Sequence, residues 1–208
     1  MDEISLALNP PHFIKSRRGK RPIQIARSAS PVWPLPAVNE REPVILPSND
    51  NRPGIELAYA RTTADDALDA FPAGSESGTT THFTPQMTTV HSFHDGVITF
   101  AGRLGQAYGV IINHGNGWAT HYANLKAVCA IRTDLYSPEE QCVRAGDVIG
   151  YVGAPAKGDF KRLYFELWEA DSHKHFIPVD PRPQLASSRL LRHYDRFTPA
   201  PSQAQKAA

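Results

Sequence analysis

Nine histidines, two cysteines and 21 acidic residues are the groups of this 208-residue chain best suited to hold a metal or move a proton. Two patterns stand out by spacing. His91 and Asp95 read HxxxD, and His173 and His175 read HxH, both arrangements in which imidazole or carboxylate groups can hold a divalent metal. A catalytic zinc needs three such ligands and one open position, where the metal lowers the pKa of a bound water so that it can attack an amide. His91 and Asp95 fall in a β-type run, where i and i+4 stand ~13 Å apart along the strand, so their spacing is accidental. His173 and His175 fall in the loop ADSHKHFIP and read as a solvated pair. His114 reads as a residue that satisfies a turn, and His121 as a packing residue on the strand face opposite Tyr122 and Asn124. Cys129 and Cys142 are too few for a four-cysteine zinc site. They are a possible disulfide, closing a loop worth about 3 kcal/mol in the chain-entropy model, or equally two buried thiols.

These groups must be positioned by short strands. Ten of the 14 glycines lie between Gly96 and Gly158, and β-type runs separate them: HDGVITFAG, AYGVIINHG, GWATHYANL, AVCAI, CVRAGDVIGYVG and RLYFELWEA. No long 3.6-period apolar stripe competes, so the pattern predicts an all-β barrel or sandwich. In the last run Leu163, Phe165 and Leu167 alternate with Arg162, Tyr164, Glu166 and Trp168, so one face packs inward and the other lines a surface or groove. Nine of the 18 prolines lie in the first 54 residues, which predicts an extended, flexible, basic arm over 1–55. Residues 56–80 read as a linker with a strand at GIELAYAR and a short helix in TTADDALDAF, 81–185 as the β domain, and 186–208 as a tail.

A formal charge of +1 gives no overall reason to expect nucleic acid as a partner, and the apolar runs are far shorter than the roughly twenty residues of a membrane span. No secretory signal pattern is visible, which leaves the location open.

The ordered series DGVITFAG, YGVIINHGNGWATHYANL, VRAGDVIGYVG, LYFELWE and VDP resembles the lysostaphin and LytM type of peptidoglycan endopeptidase over roughly residues 80 to 185. That resemblance implies a barrel-sandwich-like fold, the duplicated hybrid motif, and zinc-dependent hydrolysis. In the family, the zinc ligands are the His and Asp of an upstream HxxxD and the second His of HxH on the final strand. The first His of that strand and the His of YxHL assist. Here the final strand has Arg162 and Tyr164 at the two His positions, and YxHL reads Tyr122, Ala123, Asn124, Leu125. Upstream, Thr81 or His82 stands at the Asp position and Ser77 or Gly78 at the His position. The resemblance therefore implies a degenerate site with no catalytic residue and no cofactor.

Thr81, His82, Tyr122, Asn124, Arg162 and Tyr164 would then line a groove, in which two phenols, one amide and a guanidinium suit carboxylate- and amide-rich peptide stems. The bland reading is a vestigial site with Arg162 paired to Glu166. Zinc-free members of the family regulate other wall hydrolases, so the expected partners are peptidoglycan or a cell-wall hydrolase, and the expected location is the periplasm or envelope. The alternative is an active zinc endopeptidase with a rearranged ligand set drawn from His82, His173 and His175. A carrier domain modified at Lys157 is disfavoured, because that lysine sits in a Pro- and Gly-containing loop and not at a tight hairpin tip.

Overall fold

A computed structural model describes residues 30–38, 40–46, 52–60, 82–83 (backbone only), 88–105, 107–129, 142–152 and 162–192. The predicted short helix in 62–71, Thr81, Lys157 and the last ten residues lie outside them. The strands are β1 (Pro43–Leu46), β2 (Ile55–Ala60), β3 (His82–Phe83), β4 (Thr89–His91), β5 (Gly96–Leu104), β6 (Ala107–Gly115), β7 (Trp118–Val128), β8 (Cys142–Val143), β9 (Val148–Val152), β10 (Leu163–Ala170) and β11 (Phe176–Val179). One five-residue helix, α1 (Arg182–Ala186), follows.

The pairing is antiparallel throughout, in the order β1-β2-β10-β7-β6-β5-β8, with β11 also on β10, β3 on β2, and β9 joining β7 to β4. The predicted all-β class is what the chain adopts. Long strands β5, β6 and β7 follow one another through tight connections, and the β6–β7 turn needs positive φ at Gly115 (71°), Asn116 (52°) and Gly117 (81°). Glycine and asparagine tolerate that region best, so HGNG dictates the hairpin.

Inward residues of these strands form one core, including Ile55, Leu57, Val110, Ile112, Tyr122, Leu125, Leu163, Phe165 and Leu167. Each such aliphatic or aromatic side chain contributes about 1.5–3 kcal/mol on burial. A smaller cluster of Ile111 and Ala119, with Phe100, Trp168 and Phe176 against it, occupies the other face of the same sheet.

The expected arm over 1–55 is corrected for its second half. Val32 and Leu35 are buried, β1 joins the sheet through β2, and the Tyr59 hydroxyl donates to Pro36 O. The segment 31–38 also bridges in parallel to residues 189–192, with Trp33 N–H on Arg189 O at 2.9 Å and Ala37 N–H on Leu191 O at 2.7 Å. Proline removes donors from this segment, but the Val32, Trp33, Ala37 and Val38 amides find acceptors, so it packs as a clasp over the core. The tail predicted from 186 is likewise part of the fold through Arg192. The strand expected at GIELAYAR is β2.

Candidate functional site

The site follows from how β10 lies between β7 and β2. Leu163, Phe165 and Leu167 point into the core as their alternation predicts, and Tyr164, Glu166 and Trp168 take the other face. Register decides what they meet. Glu166 is opposite His121, Tyr164 opposite Ala123 and Phe165 opposite Tyr122.

Tyr122 is therefore a core residue and no part of a groove with Tyr164. Its ring packs on Phe165 at 5.3 Å between centroids, and its hydroxyl accepts from Phe93 N–H at 2.8 Å. Burial pushes that phenol up to about 12. Asn124 has φ 63° and sits in a bulge, because Leu125 pairs with Tyr108 while Tyr122 pairs with Val110. The extra residue breaks the strict alternation of β7 between these two positions.

On the outer face Glu166 collects three donors: His121 Nδ1 at 3.0 Å, the Tyr164 hydroxyl at 2.5 Å and Trp168 Nε1 at 2.8 Å. Burial alone would raise its carboxyl, but these hydrogen bonds more than offset it, and the group stays below its ordinary value. Burial, then the bond to Glu166, raises the Tyr164 hydroxyl well above the ordinary phenol value. His121 is buried and does more than pack, since it also holds Glu166; its Nε2 has no partner among the described residues.

Residues 52–56 close over this face. Gly54 N–H donates to the Tyr164 hydroxyl at 3.1 Å, the Arg52 guanidinium stacks 4.5 Å from the Tyr164 ring centre, and Arg162 Nη1 meets Glu56 Oε2 at 2.8 Å. The expectation that Arg162 pairs with Glu166 is corrected: its carboxylate is Glu56, on β2. Tyr164 is only 4% exposed, so the predicted groove is not an open one at this position. The sequence reading missed Arg52, Gly54, Glu56 and His121, because their relation to β10 depends on strand register and not on any local pattern.

Of the family's zinc-ligand positions, the one on the final strand does not fit the metal: Tyr164 keeps its proton and donates it to Glu166. Beside it the helper position holds Arg162, a cation, and both Glu166 oxygens already accept hydrogen bonds. His121 Nε2 is one uncommitted nitrogen where a catalytic zinc needs three ligands. Among the described residues no group of three or more His, Cys, Asp or Glu is gathered to hold a metal. The alternative set fails by position. His82 pairs with Ala60 beyond the start of β10, whereas His173 and His175 follow its end, so the length of β10, roughly 23 Å, separates them. His173 and His175 lie in the β10–β11 turn, their amides donating to Asp171 Oδ1.

His91 and His114 hold structure. His91 bonds Gly146 O through Nδ1 at 2.7 Å, and Asp95 Oδ1 accepts from Ala145 N–H at 2.8 Å, so the HxxxD pair fastens loops. His114 Nδ1 lies 2.9 Å from Asp95 O and its Nε2 2.7 Å from Thr120 Oγ1, which is itself 3.1 Å from the Tyr122 hydroxyl. A carbonyl can only accept, so Nδ1 carries the proton and Nε2 accepts from Thr120. Burial lowers its pKa to about 4. Cys129 and Cys142 are both exposed thiols in separate ladders, Cys129 N–H on Ile149 O and Cys142 opposite Val97, and the possible bridge is not formed.

This sheet order, the HGNG hairpin and the LYFELWE strand with VDP after it define the β domain of a wall-peptidase type. The profile of peptidase family M23 matches residues 76–181, and the chain belongs to that family. It is 44% identical over 84 residues, 39% of its length, to the DD-carboxypeptidase/endopeptidase Mpg of Neisseria meningitidis serogroup B. It is 35% identical over 100 residues, 47% of its length, to the cell division protein DipM of Caulobacter vibrioides. The chain spans only 17% and 15% of those two proteins. Its fold is similar to a crystal structure described as a candidate glycyl-glycine endopeptidase lytM from Ruminococcus gnavus, with TM-score 0.52 and 18% identity over 78% of this chain and 62% of that one.

Proposed function

We propose that this domain is a non-hydrolytic member of family M23 that acts in the cell envelope by binding peptidoglycan or a wall hydrolase. One observation carries the reading: the strand positions that in the family carry a catalytic helper imidazole and a zinc-binding imidazole carry Arg162 and Tyr164, and both are engaged by β2 and the turn before it. Glu56 neutralises the guanidinium and Gly54 caps the phenol, so this part of the fold is committed to internal packing. Glu166 is held as a structural acceptor, with both its oxygens taken by the internal donors His121, Tyr164 and Trp168. What the family's wall ligand meets is then the surface around the closed site, and recognition takes the place of turnover.

The similarity to a DD-carboxypeptidase/endopeptidase favours a second reading, in which the chain hydrolyses wall peptides with ligands other than those described. One experiment separates the two. Protein purified without chelator or histidine tag is measured for zinc by elemental mass spectrometry, then incubated with purified sacculi. The expected result is no stoichiometric zinc and no soluble fragments, with protein retained on sacculi or on an immobilised wall hydrolase. About one zinc per chain together with released fragments overturns the proposal.

A further inference from the structure

Away from Glu166, the inner face of the sheet ends in an open pocket of ≈ 400 Å³ beneath the clasp. Phe93, Trp118 and Leu167 supply apolar walls, while His94, Asn116 and Gln184 bring polar side chains to its lining. His114 also lines it, but with both ring nitrogens already bonded and its pKa lowered by burial it contributes a neutral, inert wall. Among the described residues the Asn116 amide, the Gln184 amide and the Trp118 indole N–H make no hydrogen bond. No Asp, Glu, Lys or Arg is among the lining residues described.

We propose that this pocket binds a neutral N-acetylated amino sugar. An indole offers a flat apolar surface on which the C–H face of a pyranose can lie, and its N–H together with two primary amides can pair with hydroxyl and acetamido groups. Phe93 and Leu167 provide apolar surface for the acetamido methyl. The described lining has no lysine or arginine, so a sugar acid or phosphate would meet no fixed counter-charge here, which disfavours anionic ligands. The volume lies at the low end of the ~300–1,000 Å³ usual for ligand sites, which suits one substituted ring and not an oligosaccharide. The pocket lies apart from the closed β10 face, so the inference stands or falls independently of whether the domain hydrolyses peptide.

The test is saturation-transfer NMR with free N-acetylglucosamine on the full chain. Transfer is expected to the acetamido methyl and to ring protons, and Asn116→Gly with Gln184→Ala is expected to raise Kd at least tenfold without changing the unfolding temperature. Glycine keeps the positive φ of 52° at position 116, and Gln184 is exposed, so the double variant should fold. Trp118→Phe preserves apolar packing and gives a second reading, a severalfold loss of affinity. Absence of transfer at millimolar sugar, unchanged affinity in these variants, or equal binding of glucuronate overturns the proposal. Sacculus retention without monosaccharide binding would refute this pocket while leaving the binding function in place.

Discussion

Replacing Gly54 with alanine tests the claim that residues 52–56 are seated on Tyr164 and Glu166. A methyl group there would lie 2.7 Å from Glu166 Cγ, 2.7 Å from Phe165 O and 2.7 Å from the Tyr164 ring. Two of these are packed side chains and the third is the backbone of β10, so none can swing away. Relief requires β2 to lift from β10, which strains packing by about 1–3 kcal/mol and gives up the Gly54–Tyr164 hydrogen bond, worth about 1 kcal/mol. The expected loss is about 2–4 kcal/mol in urea unfolding, or a Tm lower by between about 4 and 16 °C for a chain of this size. Gly102→Ala is the control, because its nearest contact, the Phe100 ring at 3.3 Å, can yield. A Gly54→Ala protein within about 0.5 kcal/mol of the parent would show that the segment does not press on these side chains, and closure of the site would have to be abandoned.

His114 sets a pH dependence. Its folded pKa of about 4 lies below the ordinary 6.5, so as pH falls through that window the unfolded chain takes up a proton that the folded chain refuses. Stability should drop by about 3 kcal/mol between these values, and His114→Gln should flatten that slope in urea titrations at stepped pH; an unchanged slope would assign it to other groups. Glu166 acts lower on the scale: its depressed carboxyl contributes stability above the ordinary carboxylate range, lost as pH falls through its folded value. For the clasp, Leu35→Ala should cost about 2–5 kcal/mol, since the side chain is fully buried; calorimetry showing no loss would detach this segment from the core.

The class of fold was legible because period-2 alternation in LYFELWE and the glycine-spaced runs are local signals. The site was only half legible. Tyr164 and Glu166 could be placed on one face of β10, but whether that face met the Tyr122 side or the His121 side of β7 depends on register, which alternation within one strand does not state. The bulge at Asn124 added to the difficulty, since asparagine hints at positive φ without fixing it. The arm misled for a similar reason. Prolines in 31–36 suggest an extended arm, but Val32 and Ala37 have their bridge partners at Arg189 and Arg192, more than 150 residues away, and no nearby sequence announces that contact.

The pairing of segment 31–38 with residues 189–192 makes the unit of folding larger than the span that the family profile matches. The family match runs from 76 to 181, but β10 inside it borrows its neighbour β2 from before that span, and the core borrows Leu35, Ile55, Leu57 and Leu185 from both sides. Cut at the family's borders, the chain would leave the β2-facing side of β10 unpaired along Leu163–Phe165, an exposed edge of the kind that recruits other strands. The flanks are thus structural partners of the sheet that lies inside the family span.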